Sequence, residues 1–122
     1  MKPEFTSAER FVYHITSKNT WEAAQKNGLF TEPSLANEGF IHFSTKAQVI
    51  QTANKFYLGV QGLVLLEVDC QKLAKEMVYE QAEPGAWFPH FYAPLPVDSV
   101  IRALDFIPSP DGSFCWPETE MD

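Results

Sequence analysis

Residues 63–69 read LVLLEVD, and this nearly continuous apolar stretch decides the fold. A run of this kind is typical of a central strand that is covered on both faces of its sheet. Shorter stretches rich in β-branched and aromatic residues lie on either side of it in the chain and predict further strands. These strands are expected at residues 11–16, 40–44, 77–80 and 99–107.

Two helices are predicted, both in the first half of the chain. Residues 21–27 form the first, and Gly28 stands where a helix ends in a left-handed cap. Thr45 and Gln48 have the spacing of a capping box and open the second. Residues 29–38 are predicted to be a loop. The strands and helices together predict an α+β domain with a mainly antiparallel sheet and two short helices.

Proline shapes the C-terminal half of the prediction. Residues 84–96 hold four prolines among aromatic residues. Because proline cannot donate to a sheet ladder, we expect an ordered loop packed on the core. The predicted organisation is a flexible N-terminus over residues 1–10, a single globular domain over 11–107 and a loosely attached tail over 108–122.

The composition excludes several classes of protein. Hydrophobic residues make up 45% of the 122 residues, too many for a disordered chain. Sixteen acidic residues outnumber nine basic ones, which argues against general binding of nucleic acid. No apolar run approaches the length of a membrane span, and no signal peptide is apparent, so a cytoplasmic protein without a membrane partner is expected. Cys70 and Cys115 form no motif for zinc or redox chemistry.

The chain has three histidines, His14, His42 and His90, and each is flanked by residues that belong in a core. If all three face one pocket, they form a polar cluster suited to acid–base chemistry or ligand recognition. Two alternatives stay open at this point. Each imidazole can be a hydrogen-bonded structural residue, or the three can bind a metal ion, although no metal site is predicted.

Two carboxylates stand out from the solvated ones. Glu80 ends a predicted strand directly before the segment that carries His90. Glu67 interrupts the central strand, where an unpaired charge is costly unless the side chain faces an edge or solvent. Ser44, close to His42, keeps nucleophilic chemistry open, although no phosphate-binding or nucleophile-elbow motif is present.

Several short motifs follow one another in an order that resembles a known family. They are YHIT at 13–16, WEAA at 21–24, GFIHFS at 39–44, LVLL at 63–66, YE at 79–80 and FPHFYAPLP at 88–96. Together they resemble the small bacterial and plant family named domain of unknown function 952, over residues 11–107. The resemblance implies a distant grouping by fold with the ADP-ribosyltransferases, which cleave the bond between nicotinamide and ribose in NAD.

The resemblance also implies roles for particular residues. His14 corresponds to the first-strand motif of the transferases, and His42 or Ser44–Thr45 to the second. Glu80 is the candidate for the third, with Glu67 behind it. His90 belongs to the family's own loop.

We therefore expect a pocket that binds NAD or a nucleotide-like ligand, with ADP-ribosyl transfer or NAD glycohydrolysis as the reaction. NAD would be the substrate, and no resident cofactor is predicted. The predicted catalytic residues are His42, Glu80 and His14, with Glu80 holding the ribose. The predicted ligand-binding residues are His90, Ser44, Thr45, Phe43 and Tyr92, with Phe43 or Tyr92 stacking on the nicotinamide. The alternatives are a non-catalytic small-molecule binding module and an interaction domain that docks through residues 87–95.

Overall fold

The computed structural model describes residues 10–73 and 75–117. The α+β class with mainly antiparallel pairing is confirmed. The strands are β1 Phe11–Ser17, β2 Leu29–Phe30, β3 Ile41–His42, β4 Leu63–Asp69, β5 Met77–Glu83, β6 Ala86–Phe91, β7 Leu95–Pro96 and β8 Val100–Phe106. The helices are α1 Lys18–Asn27, α2 Pro33–Glu38 and α3 Lys46–Phe56, with short 3-10 helices at Cys70–Lys72 and Val97–Ser99.

The strands form two three-stranded antiparallel sheets that continue into each other. One has the order β1-β4-β8 and the other β3-β6-β5, while β2 pairs with β7. Tyr13 of β1 and Ser44, just after β3, exchange two backbone hydrogen bonds of 2.8 Å. This pair places β1 next to β3, so the strand order across the molecule is β8-β4-β1-β3-β6-β5.

The prediction of a central strand at residues 63–69 is confirmed, since β4 lies between β1 and β8 and all its residues are buried. Alternate side chains of β4 enter two different cores. Leu66 packs in the core that includes Trp21 of α1, and Leu65 packs in the core that includes Val49 and Ala53 of α3. We call these the α1 side and the α3 side of the sheet.

Local sequence signals correctly predicted where α1 ends and where α3 begins. Gly28 adopts the left-handed conformation, with φ of 82°, and ends α1 as predicted. The capping box of Thr45 and Gln48 opens α3, and the Thr45 N–H donates to Gln48 Oε1 at 3.0 Å. No helix among the described residues is long and apolar enough to cross a membrane.

The prediction of a loop over residues 29–38 is wrong, because this segment contains β2 and α2. Proline marked the segment as irregular, yet Pro33 occupies the first turn of α2. The N–H that proline lacks has no helical partner at that position, so the residue costs the helix nothing there. The described residues therefore contain three α-helices where two were predicted.

The prediction of a loop over residues 84–96 is also wrong, because β6 and β7 lie within it. Pro89 is part of β6, opposite Tyr79 of β5. Its carbonyl accepts from the Phe43 N–H at 2.9 Å, just beyond the last residue of β3. The backbone nitrogen and carbonyl of a strand residue point to the same neighbouring strand. The nitrogen of Pro89, which has no hydrogen to donate, therefore faces the position where the pairing with β3 has ended. Since β6 is paired with both β3 and β5, the proposed docking loop at 87–95 is in part an interior strand.

The segment after β8 packs against the α3 side through Phe114 and Trp116. Phe114 is buried and stacks on Phe106 with ring centroids 4.6 Å apart. Asn54 of α3 donates to the Phe114 carbonyl at 3.2 Å and accepts from its N–H at 2.6 Å. The first nine residues of the expected flexible N-terminus, and residues 118–122 of the expected tail, lie outside the described residues.

Candidate functional site

A cavity of about 580 Å³ lies on the α3 side, between α3 and strands β1, β3 and β6. Its volume is within the range of ligand pockets. Polar and aromatic side chains share the lining. They include Tyr13, His42, Ser44, Gln51, Thr52, Lys55, Phe56, Tyr57, Phe88 and His90.

His90 reaches this cavity because of strand alternation in β6. Phe91 packs in the core on the α1 side, so its neighbour His90 faces the α3 side. His90 Nδ1 lies 2.8 Å from Glu80 Oε1 on β5. A carboxylate can only accept, so Nδ1 donates in this contact, and in the neutral imidazole Nε2 is then the nitrogen that can accept a proton. Glu80 therefore orients an imidazole that can act as a base.

Tyr92 completes this group from the end of β6. Its hydroxyl donates a short hydrogen bond to the same Glu80 oxygen that contacts His90. The hydrogen bond to Glu80 is the main reason that the pKa of Tyr92 rises to about 12. Because this oxygen already has two partners, we interpret Glu80 as an orienting group.

His42 lies directly opposite His90 in the pairing of β3 with β6. The two ring centroids are 5.2 Å apart and the rings are nearly perpendicular. His42 Nε2 is 3.1 Å from Glu38 Oε1, and the His42 side chain is 52% exposed. The ring of Phe40 stacks on that of His90, with the two centroids 4.0 Å apart. The structure thus brings together two imidazoles, each contacted by its own carboxylate.

His14 occupies a different environment, on the α1 side. Its ring lies 5.3 Å from that of Phe30 and 5.2 Å from that of Phe43, and the side chain is only 6% exposed. Nδ1 forms a short hydrogen bond with the backbone carbonyl of His42. His14 also borders the cavity, where β1 and β3 are joined in the described residues by the single Tyr13–Ser44 pair. It contacts the predicted site through the backbone of β3.

The second nitrogen of His14 also faces an oxygen. Nε2 lies 2.7 Å from Glu32 Oε1, which is the distance of an ion pair. The direction of this contact is not that of a hydrogen bond, so Nε2 has no aligned partner. Thr16 donates to the other oxygen of Glu32 at 3.1 Å. We interpret this group as a largely buried electrostatic contact that holds β1 against the segment before α2.

The other predicted ligand-binding residues have backbone or core roles in the structure. Ser44 is buried and pairs with Tyr13 through its backbone. Thr45 belongs to the capping box of α3. Phe43 is 2% exposed and packs in the core on the α1 side. Their predicted contacts with a ligand stay predictions.

Glu67 is buried in the central strand with two polar partners. Tyr13 donates to one of its oxygens at 2.6 Å, and Arg102 Nε donates to the other at 2.8 Å. Burial alone would raise the pKa of Glu67, but hydrogen bonds from Arg102 and Tyr13 outweigh it and the pKa is lowered. Burial and the bond to Glu67 raise the pKa of the Tyr13 phenol. Through its hydrogen bond to Tyr13, which lines the cavity, Glu67 helps to hold one wall of the cavity in place.

Several lining residues were missed by the sequence analysis. Gln51, Thr52 and Lys55 of α3 all border the cavity. Lys55 follows Thr52 by three residues and Gln51 by four, the spacings that place side chains on one face of a helix. This polar face was the signal that could have found them. Gln48, one turn earlier, ties the helix to β6 by donating to the Trp87 carbonyl at 2.7 Å.

All three histidines border the cavity, and the rings of His42 and His90 lie against each other. Within residues 10–73 and 75–117, no group of three or more His, Cys, Asp or Glu side chains is placed to hold a metal ion. His42 contacts Glu38 and His90 contacts Glu80. This arrangement suits proton transfer better than metal binding.

Comparison with protein families identifies the chain. Residues 15–103 match the family described as Protein of unknown function (DUF952). The match covers more than half of the chain, so the chain belongs to this family. A search of curated proteins gave no match.

Solved structures of a bacterial protein share the fold. The crystal structure of protein CC0527 from Caulobacter crescentus is 37% identical, with a TM-score of 0.81, over 86% of this chain and 93% of that one. The solution NMR structure of CC0527 is also 37% identical, with a TM-score of 0.77, over 85% of this chain and 90% of that one. The distant relation to ADP-ribosyltransferases is not shown by these comparisons and stays a prediction.

Proposed function

We propose that this member of the DUF952 family binds a nucleotide-like small molecule in the cavity beside α3, and that His90 acts on it as a general base. The observation that carries the proposal is the 2.8 Å contact between Glu80 and His90 at the wall of a cavity of about 580 Å³.

The two histidines supply complementary proton chemistry. With Nδ1 of His90 donating to Glu80, its Nε2 can take a proton from a water or hydroxyl nucleophile, as carboxylate-oriented imidazoles do in other active sites. His42, whose ring centroid is 5.2 Å from that of His90, can receive the proton that His90 takes from the nucleophile. The half-exposed position of His42 allows it to pass that proton to solvent.

The lining fits a ligand with a planar ring and hydroxyl groups. Phe88, Phe56 and Tyr57 offer aromatic surface against which a base or a nicotinamide can pack. Gln51 and Thr52 offer donors and acceptors for ribose hydroxyls.

NAD is the ligand that we would test first. The proposed reaction is cleavage of the bond between nicotinamide and ribose, with water or an acceptor hydroxyl as the nucleophile. Water would attack the ribose carbon as nicotinamide leaves, and His90 would take the proton of that water. In this proposal Glu80 orients His90, since one of its two oxygens is shared by His90 and Tyr92.

The experiment combines binding with turnover. Calorimetry with NAD at up to millimolar concentration measures binding, and chromatography of the reaction mixture measures release of nicotinamide. We expect the native chain to bind and release, whereas His90→Asn binds NAD without releasing nicotinamide. Glu22→Gln, on the exposed surface of α1, is the control and keeps both properties.

The outcomes separate the two candidate functions. Binding without release in the native chain would overturn the catalytic part and leave a non-catalytic binding module. Absence of any heat with NAD or with simpler nucleotides would contradict ligand binding altogether.

A further inference from the structure

We infer that the cavity selects ligands that carry an anionic group, and that Lys55 holds this group. The inference rests on the proposed function and names the ligand class of the same site. Sixteen acidic and nine basic residues give the chain a net charge of −7. Among the described residues that line the cavity, there are Lys55 and three histidines but no aspartate or glutamate. The charge balance of the lining is therefore opposite to that of the chain.

This difference bears directly on which ligands can enter. A chain of net charge −7 repels small anions over most of its surface. Lys55 gives the α3 wall of the cavity a permanent positive charge, whereas Glu38 and Glu80 stand behind His42 and His90 at the opposite wall. Aromatic side chains form part of the same wall, and they lower the local polarity and strengthen an attraction between charges.

Lys55 has a suitable position for this role. Its ammonium group lies 5.3 Å from the centroid of the Phe56 ring, so charge and aromatic surface stand side by side. Thr52 precedes Lys55 by three residues on the same helix face, and both border the cavity. An anionic group at Lys55 would therefore lie close to a hydroxyl donor and to a ring face.

The histidines approach the cavity from the sheet, and Lys55 approaches it from α3. A ligand held at both walls has its anionic group at α3 and its reacting bond at the sheet. A nucleoside monophosphate has this layout, because its phosphate and its glycosidic bond are at different positions of the ribose. We therefore assign a phosphate on the ribose, which nucleoside monophosphates and NAD both carry, as the group that the cavity selects over an uncharged nucleoside.

The test uses pairs of ligands that differ only in phosphate. Adenosine is compared with AMP, and nicotinamide riboside with nicotinamide mononucleotide, by calorimetry at low and moderate salt. We expect the phosphorylated member of each pair to bind about tenfold more tightly at low salt, with the preference shrinking as salt rises. In Lys55→Gln the preference should fall to within about twofold.

The matched control is Lys26→Gln. Lys26 lies in the last turn of α1, as Lys55 lies in the last turn of α3. The substitution Lys26→Gln therefore removes the same charge at a position away from the cavity. The preference for phosphate should persist in this variant. Its persistence in Lys55→Gln would instead show that Lys55 serves only to balance the C-terminal carbonyls of α3, and would overturn the assignment.

Two further outcomes separate this inference from the proposed function. Equal affinity of the native chain for both members of each pair would overturn the anion selection and leave nucleoside binding intact. Failure to bind any of the four ligands would contradict the proposed function itself.

Discussion

His14 and His90 are buried to the same degree, yet they stand on opposite sides of the sheet. Their side chains are 6% and 8% exposed, and each has a ring nitrogen within 3 Å of a glutamate, at 2.7 Å and 2.8 Å. His14 lies between Phe30 and Phe43, and its other nitrogen bonds to a backbone carbonyl. Both histidines border the cavity, but His90 reaches it from the α3 side, where its ring lies against that of His42. Burial and a carboxylate partner therefore do not by themselves mark a catalytic histidine.

The largest effect expected from this comparison is the loss of stability in His14→Ala. The substitution leaves the carboxylate of Glu32 and the carbonyl of His42 without this partner, and it opens a void beside Phe30. We expect the free energy of unfolding to fall by about 3 kcal/mol, as when one member of a buried pair is removed. Urea denaturation followed by tryptophan fluorescence measures this loss.

The control for His14→Ala is His42→Ala. The side chain of His42 is 52% exposed, so its removal should change the free energy of unfolding by less than about 0.5 kcal/mol. Similar losses in the two variants would break the distinction between a structural His14 and a functional His42.

A second prediction concerns the group that supports the cavity wall on the α3 side. In Glu67→Gln, Arg102 and Tyr13 lose a charged partner. Arg102 is 40% exposed and solvent screens its charge, so we expect a loss of about 2 kcal/mol at neutral pH. The pKa of Glu67 is lowered in the folded chain, from an ordinary value of 4.5. The stabilisation by its ionised form is therefore present above that value and is lost as the pH falls below it.

The measurement is a pair of urea denaturation curves, at pH 7 and at about pH 3. The difference in unfolding free energy between the native chain and Glu67→Gln should be clearly smaller at the lower pH. Glu22→Gln, on the exposed surface of α1, should differ little from the native chain at either pH. A difference that is the same at both pH values would show that the charge of Glu67 does not matter.

Local patterns in the sequence predicted the parts of the fold that depend on neighbouring residues. The apolar run at 63–69 identified the central strand, and the capping box of Thr45 and Gln48 identified the start of α3. Pro33 and Pro89 misled the prediction, because each falls where the backbone needs no donor. That tolerance depends on the exact position of the proline in its helix or strand, which composition does not show.

The candidate site was predictable only in part. Alternation within a strand showed which residues share a face with His14 or His42, but not which strands lie beside each other. The pairing of β3 with β6 brings His42 opposite His90, and it joins segments about fifty residues apart in the chain. The partner of His42, Glu38, came from a segment that was predicted to be a loop. Contacts of this kind are set by long-range pairing, which periodicity does not reveal.

The smallest expected effect is a change in the pKa of Tyr92, and it tests whether Glu80 orients its neighbours on the α3 side. The hydrogen bond to Glu80 raises the pKa of Tyr92 to about 12, because ionised Tyr92 would lose its donor and face a carboxylate. The tyrosinate absorbance of the native chain minus that of Tyr92→Phe isolates this residue from the other tyrosines. In Glu80→Gln, the same subtraction should move the pKa of Tyr92 towards its ordinary value of 10.0. If Tyr92 ionises near that value in both backgrounds, Glu80 does not hold Tyr92, and its carboxylate is open to the ribose contact that the family resemblance implies.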